Sequence, residues 1–178
     1  MKQSSVKRLK VILNATPFIY LGKKRRMGIL RSVFGEVVIP IEVEREVTRF
    51  KENPEAVQLR EAVQRGWIKV RCPSEKEKIR IARLFSEIDE GEAAVIAVAL
   101  QIHEGASVII DDAEARAAAE YFGLKVHGTL YVILEAYKHR IFKSKREVID
   151  MVNNMLRKGF YLSTEVYAEF LSLLEELG

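Results

Sequence analysis

Five short runs along the chain combine β-branched and other apolar residues and are bounded by turn-forming or charged positions. Runs of this length and composition predict β-strands. In chain order they are 9-LKVIL-13, Gly35–Pro40, Trp67–Arg71, Ser107–Ile110 and Leu124–Val126. The second run ends at a proline, and the fourth is apolar enough to indicate a buried strand.

The segments between and after these runs have the patterns of helices. Thr16 and Pro17 favour a helix start, because threonine caps helices and proline fits the first turn. The segment 92-EAAVIAVALQIHE-104 is apolar nearly all round, which indicates a buried helix. The predicted helices cover approximately 16–22, 27–33, 41–50, 54–66, 74–86, 92–104, 113–122, 129–139, 145–158 and 163–177.

The order of these elements predicts the fold class. Strands that alternate with helices are typical of a parallel sheet covered by helices on both faces. Beyond Lys143 only helices are predicted. We therefore expect an α/β three-layer sandwich in one domain over residues 1–178, with a core of about 10–142 and a C-terminal helical extension of about 143–178.

Composition narrows the functional classes without choosing among them. The 178 residues carry 29 Lys+Arg against 25 Asp+Glu, a formal charge of +4, which permits nucleic-acid binding but does not require it. Cys72 is the one cysteine, so an internal disulfide is excluded and a reducing cytoplasm is expected. Asn14 and Pro17 interrupt 11-VILNATPFIYL-21, so we expect neither a signal peptide nor a membrane span.

Polar residues follow the predicted strands at their carboxyl ends, the edge where open parallel α/β sheets bind ligands. Asn14 ends the first strand, and Asp111 and Asp112 end the fourth. Glu92 begins the buried helix at the same edge, and Glu46 lies on the helix after the second strand. We therefore expect these five side chains to form one candidate site.

A purely structural explanation also exists for most of these residues. Asn14 can close an Asx-turn, and Asp112 can cap the helix that follows it. Glu92 can form a capping box with Asp89, since the spacing fits, and Glu46 can be a solvated helix acid.

Considered together, the acids favour a metal site. Like charges crowded at one edge repel, and a carboxylate removed from water is costly unless it is compensated. Mg²⁺ or Mn²⁺ resolves both problems, because these hard ions take oxygen ligands from carboxylates, water and substrate phosphate. Such a site activates water for in-line attack on a phosphodiester.

Four segments in this order resemble the motifs of a PIN domain, and most closely the small prokaryotic PIN proteins allied to VapC-type toxins. The segments are 11-VILNATPFIYL-21, 39-IPIEVEREV-47, 88-IDEGEAAVIAVAL-100 and 108-VIIDDAEARAAAEYFGLKVHGTLYVIL-134. The resemblance spans roughly Lys10 to Phe170. It implies a Rossmann-like three-layer fold and a Mg²⁺- or Mn²⁺-dependent endoribonuclease that cleaves single-stranded RNA.

Position by position, the resemblance implies a set of metal ligands whose acids are also catalytic. These are Asn14, Glu46, Glu92, Asp111 and Asp112, where the last two compete for one family position. Asn14 departs from the family, which has an acid there. An amide oxygen carries no charge and binds Mg²⁺ more weakly than a carboxylate does, so the alternative function is a PIN-like binding or scaffold protein with a weakened metal site.

Several residues are candidates for substrate binding. The resemblance implies Thr16, two positions after the first ligand. The basic run 23-KKRR-26 can steer RNA phosphates toward the acidic edge, or it can be a solvated turn. Its residues are Lys23, Lys24, Arg25 and Arg26. Arg116 lies one turn beyond Asp112 and can meet an acid or a phosphate.

The resemblance also implies partners. The protein would be the toxin of a toxin–antitoxin pair, blocked by a small antitoxin that inserts an arginine, and it would form a homodimer. A phosphohydrolase of another α/β class is less favoured, since the chain has no Gly-rich phosphate loop. The histidines His103, His127 and His139 show no metal-ligand spacing, and we expect structural or surface roles for them.

Overall fold

The five predicted strands form one sheet in which every pairing is parallel. The structure, a computed structural model, describes residues 10–102 and 105–177. The strands are β1 (Val11–Leu13), β2 (Val37–Pro40), β3 (Ile68–Arg71), β4 (Ser107–Ile109) and β5 (Lys125–His127). Their spatial order is β3-β2-β1-β4-β5, with Ile12 paired to Val38 on one side and to Val108 on the other.

Each predicted helix is present, with ends that differ by a few residues. The helices are α1 (Ala15–Lys23), α2 (Gly28–Phe34), α3 (Ile41–Val47), α4 (Pro54–Gln64), α5 (Glu75–Leu84), α6 (Glu90–Ile102), α7 (Ala113–Tyr121), α8 (Thr129–Lys138), α9 (Lys145–Arg157) and α10 (Thr164–Glu176). The predicted end of α6 at residue 104, and His103 with it, lies outside the described residues. The parallel sheet flanked by helices confirms the predicted α/β class.

The first helix begins earlier than the sequence suggested. Asn14, not Thr16, is the residue that precedes it, and Thr16 lies inside the first turn. The reason is the sheet: the Asn14 N–H still donates to the Ile109 carbonyl at 3.1 Å, so the backbone stays extended through residue 14. The helix can begin only at the next residue.

The core is continuous from the sheet into the C-terminal helices. In α6, every residue from Ala93 to Ala99 is buried, as its apolar pattern predicted, and the helix lies against β1, β2 and β4. Val148 and Val152 of α9 and Phe170 of α10 belong to the same hydrophobic cluster. The C-terminal helices are therefore packed onto the sheet domain by apolar burial.

Helices α1 and α4 approach each other so closely at Gly22 that a side chain would not fit. A Cβ atom at Gly22 would lie 2.5 Å from the Cβ atom of Glu55 and 2.7 Å from its Cα atom. Gln58 of α4 also donates to the Gly22 carbonyl at 2.8 Å. Because backbone atoms take part, rotation of a side chain cannot relieve the contact, and it fixes the position of α1.

Replacing Gly22 with alanine should therefore destabilise the protein by about 2 kcal/mol or more, as expected for overpacking against backbone. Chemical denaturation measures the change in the free energy of unfolding. The matched control is Gly28→Ala, because nothing lies within 4 Å of a Cβ atom at Gly28. Equal stability of the two variants would show that the helices can separate at no cost.

Candidate metal and nucleic-acid site

The candidate site lies where the order of the sheet reverses. From β1 the chain builds one half of the sheet through β2 and β3, and the other half through β4 and β5. Open parallel sheets form a crevice outside the carboxyl ends of the strands at this point. Asn14 follows β1 directly, and Asp111 and Asp112 follow β4 after one intervening residue, Ile110, so adjacent strands bring them to the same crevice.

Four carboxylates from three helices meet beside this crevice. They are Glu46 of α3, Asp89 and Glu92 at the start of α6, and Asp112 at the start of α7, and we call them the acidic cluster. The pKa of Glu92 is raised to about 7, first by burial and then by the charges of Asp89, Asp112 and Glu46, while the hydrogen bond from the Asp89 N–H lowers it. Burial and Asp89 also raise the pKa of Glu46.

No cation in the described part of the chain compensates the acidic cluster by an ion pair. The nearly buried Lys78 binds the neighbouring acids instead, with Nζ 2.8 Å from Glu42, 2.8 Å from Glu75 and 3.0 Å from Glu90. These contacts raise the pKa of Lys78, Glu42 first. Lys78 thus offsets part of the charge of these three outer acids, while no ion pair offsets the acidic cluster within the described residues.

Helix caps hold part of the acidic cluster in place. The Asp89 N–H donates to Glu92 Oε2 at 3.0 Å, and the Glu92 N–H donates to Asp89 Oδ1 at 2.8 Å, which is the predicted capping box. Asp112 Oδ1 accepts from the Ala115 N–H at 2.9 Å and caps α7, also as predicted. Each cap uses one oxygen of a carboxylate, so capping leaves the other oxygen available to a ligand.

Asp111 has a different environment from Asp112. Its Oδ1 accepts from the Thr129 N–H at 2.8 Å and its Oδ2 from the Thr129 hydroxyl at 2.6 Å. Burial raises the pKa of Asp111, while the bonds from Thr129 and the charge of Arg116 lower it. Asp111 therefore secures the start of α8, and Asp112 is the one of the two that adds its charge to the acidic cluster.

Asn14 is buried at the end of β1, and its side-chain oxygen has no hydrogen-bond donor among the described residues. Its side chain is 6% exposed, and its Oδ1 accepts no hydrogen bond within residues 10–102 and 105–177. The side chain makes no cap bond to α1, so the Asx-turn explanation is wrong. A buried acceptor without a partner costs about 1–3 kcal/mol, so this oxygen favours an added donor or cation.

The carboxylate side chains do not converge on a single coordination site within the described residues. Among the described residues, no three His, Cys, Asp or Glu side chains are placed to hold one ion together. Glu46 and Asp112 are exposed, and Glu46 Oε2 reaches to 3.5 Å from the Cβ position of Gly91. The carboxylates are close enough to act on each other electrostatically but stay separate.

A groove of about 920 Å³ connects this edge to the C-terminal helices. Thr16, Tyr20, Asp112 and Arg116 line one side of it, and residues 159–163 of the α9–α10 loop line the other. Arg116 is held in place by donating to the Ile110 carbonyl at 3.1 Å. Asp112 belongs to both the groove and the acidic cluster, so a bound chain could pass directly over the acids.

The basic run 23-KKRR-26 lies at the end of α1, and its residues do not line this groove. Arg26 pairs with Glu147 of α9 at 2.9 Å and lies over the Phe142 ring, 5.5 Å from its centroid. Lys23 lies 5.2 Å from the centroid of the Tyr20 ring. A role of this run in steering RNA stays a prediction.

Sequence reasoning missed two parts of the site. Asp89 was assigned only to the capping box, although its charge also acts on Glu46 and Glu92. The spacing to Glu92 identified the cap, but it could not show that Glu46 of another helix lies nearby. The wall formed by the α9–α10 loop, with Tyr161 84% exposed, had no sequence signal at all.

Comparison with known proteins supports one family. A family model described as a PIN domain matches residues 10–176, nearly the whole chain, which confirms the resemblance at the level of the family. No curated protein matches the chain.

In the part of the chain that the structure describes, no helix has both the length and the apolar character needed to cross a membrane.

The raised pKa of Glu92 predicts how stability depends on pH. Because the pKa is about 7 in the folded protein against an ordinary 4.5, the folded state binds the proton more tightly, and Glu92 destabilises it increasingly from pH 4.5 to pH 7. Glu92→Gln keeps the cap and removes the charge. In EDTA at pH 8 the variant should be more stable by on the order of 1 kcal/mol, after allowance for solvent screening.

Chemical denaturation at pH 4.5 and pH 8 measures this difference, which should be much smaller at the lower pH because Glu92 of the folded protein is then protonated. Glu87→Gln is the control, since Glu87 is exposed and outside the acidic cluster. A stability difference that is the same at both pH values would contradict the crowding of charge at Glu92.

Substitutions of the two adjacent aspartates should change the free energy of unfolding by different amounts. Asp111→Ala leaves the fully buried Thr129 N–H and hydroxyl without acceptors, at a cost of about 2–3 kcal/mol. Asp112→Asn should change stability by less than about 0.5 kcal/mol, because asparagine is as good a helix cap as aspartate. Thermal unfolding in EDTA measures both, and a larger loss at Asp112 would reverse the assignment.

Proposed function

The chain belongs to the PIN-domain family, and from this we propose that it is a metal-dependent endoribonuclease that cleaves single-stranded RNA. PIN domains are typically nucleases, act on RNA and generally use divalent metal ions. The observation that carries the proposal is the acidic cluster, which has no cationic partner in the described residues and lies at the edge of the sheet where β1 ends in the unsatisfied Asn14 oxygen.

The donors present fit a hard divalent cation, Mg²⁺ or Mn²⁺. The ligands would be Asn14 Oδ1 together with carboxylate oxygens of Glu46, Glu92 and Asp112 that the caps leave available. Glu46 is exposed and can turn toward an ion at small cost, and Asp112 offers the carboxylate oxygen that its cap leaves free. When bound, such an ion lowers the pKa of water and offsets the charge of the phosphodiester.

The side chains of the protein would then orient the substrate and move protons. An RNA strand in the 920 Å³ groove would pass Thr16 and Arg116, whose hydroxyl and remaining guanidinium N–H groups can donate to phosphate oxygens. A carboxylate oxygen of Glu46, Glu92 or Asp112 would accept the proton of the attacking water. Asp111 would support the site indirectly, because its hydrogen bonds to Thr129 fix the start of α8.

The same proposal includes the partners. An uncompensated acidic cluster suits the insertion of a cationic side chain, so we infer a small antitoxin that places an arginine there, and a cytoplasmic toxin–antitoxin pair. We also infer a homodimer. The dimer surface would include the apolar side chains of Leu84, Phe85 and Tyr121. Leu84 is 54% exposed and Tyr121 is 70% exposed. Light scattering of the Tyr121→Ser variant, compared with the parent protein, would test whether this surface forms the dimer.

One observation favours the alternative, a PIN-like binding or scaffold protein. The position that follows β1 holds a neutral amide, Asn14, and the described acids do not converge into a ready metal centre. A weaker site could bind RNA through the groove without cleaving it.

Cleavage of a labelled single-stranded RNA decides between these functions. We expect cleavage that requires Mn²⁺ or Mg²⁺, stops in EDTA, and falls by roughly a hundredfold or more in Glu92→Gln and Asp112→Asn, because metal activation of water supplies several kcal/mol. Both substitutions keep the helix caps, so the loss would not reflect unfolding. Glu87→Gln should cleave like the parent protein.

No cleavage by the folded protein, together with no Mn²⁺ binding by calorimetry, would establish the scaffold function instead. In that case Asn14→Asp becomes the informative variant. Because it converts the neutral ligand to a charged one, it should create measurable Mn²⁺ binding if the rest of the acidic cluster is arranged for a metal.

A further inference from the structure

A second groove starts at the amino ends of the strands and extends along β4 and β5 to Ile109 and His127. Val11, Ser107 and Lys125, the first residues of β1, β4 and β5, line it, and its volume is about 810 Å³. Helices α2 and α8 form its other wall. No residue of the acidic cluster lines this groove, so it is distinct from the candidate metal site.

The groove is positively charged. Arg31, Arg65 and Lys125 line it against a single acid, Glu36, and none of the three forms an ion pair within the described residues. Within residues 10–102 and 105–177, an anion entering this groove would therefore meet positive charge that no ion pair offsets.

The positive charge near the groove also affects the pKa of His127. Burial lowers the pKa of His127, and the charges of Lys125 and Arg116 lower it further, against Glu135. The positive charge of Lys125 therefore also acts on the His127 ring in the wall of the groove.

Planar side chains are interleaved with these charges. Trp67 and Phe34 line the groove and are only partly buried. His127 and Tyr131 stack on each other in its wall, with centroids 3.9 Å apart and planes inclined by 12°. Aromatic faces beside basic side chains are the combination that binds nucleotide units, by base stacking and phosphate contacts together.

We propose that this groove is a nucleotide-binding site: Arg31, Arg65 and Lys125 bind phosphate, and Trp67 presents its ring to a base. The groove volume of about 810 Å³ lies in the range of pockets that bind small ligands such as a nucleotide. The nucleotide can be free or can be a unit of an RNA strand. Tyr131 lines both this groove and the groove beside Asp112, so the two are neighbours on the surface.

Trp67 makes the test direct, because it is the one tryptophan of the chain and lies in the groove. Its fluorescence would be titrated in EDTA with 5′-AMP, with an eight-nucleotide single-stranded RNA and with inorganic phosphate. We expect saturable quenching by AMP or by the RNA, and a response to phosphate that is at least tenfold weaker. Binding by the RNA alone assigns the site to a strand, and binding by both admits free nucleotides.

The variant Arg31→Gln/Arg65→Gln/Lys125→Gln should weaken the quenching at least tenfold, since three phosphate contacts are lost. The matched control removes three exposed charges elsewhere, Lys76→Gln/Arg83→Gln/Arg157→Gln, and should bind like the parent protein. Both triple variants change only exposed side chains, and their thermal unfolding would verify that they fold.

Three results would overturn the proposal: no saturable quenching of the folded parent protein, equal affinity of the two triple variants, or phosphate binding as tightly as AMP. Glu92→Gln separates this inference from the nuclease proposal, because it removes metal-dependent cleavage but should leave the quenching of Trp67 unchanged. Either proposal can thus fail alone.

Discussion

The parallel pairing of β1 with β4 is the constraint on which the candidate site depends. It joins two strands separated by most of the sequence, and it fixes their carboxyl ends side by side through bonds such as Asn14 N–H to Ile109. The buried helix α6 lies against both strands, and its first turn therefore begins at the same edge. Asn14, Glu92 and Asp112 come together because backbone hydrogen bonds and apolar packing leave them no other place.

That arrangement is electrostatically costly, and the structure shows how the cost is limited. Helix caps give partners to one oxygen each of Asp89, Glu92 and Asp112, and helix N-termini favour negative charge. Lys78 offsets part of the charge of the outer acids Glu42 and Glu90. What remains is a residual repulsion that raises the pKa of Glu92, which a bound cation would relieve.

Charge is distributed unevenly between the two ends of the sheet. Carboxylates gather where the strands end, and basic and aromatic side chains line the groove where the strands begin. The net charge of +4 conceals this separation, because it sums over both ends. For a polyanionic ligand the two ends have different uses: positive charge can hold phosphate, while the acids require a cation before phosphate can approach.

The amino-acid sequence by itself determined the elements and their class, because hydrophobic runs, caps and prolines act over a few residues. It also identified Asn14, Glu92 and the two aspartates as an edge set, since strand ends can be located from local pattern. Only the tertiary structure decided that Asp111 faces Thr129 while Asp112 joins Glu46, Asp89 and Glu92. The side chains of Asp111 and Asp112 point in different directions because long-range packing fixes the backbone at this position. No local sequence pattern encodes that direction.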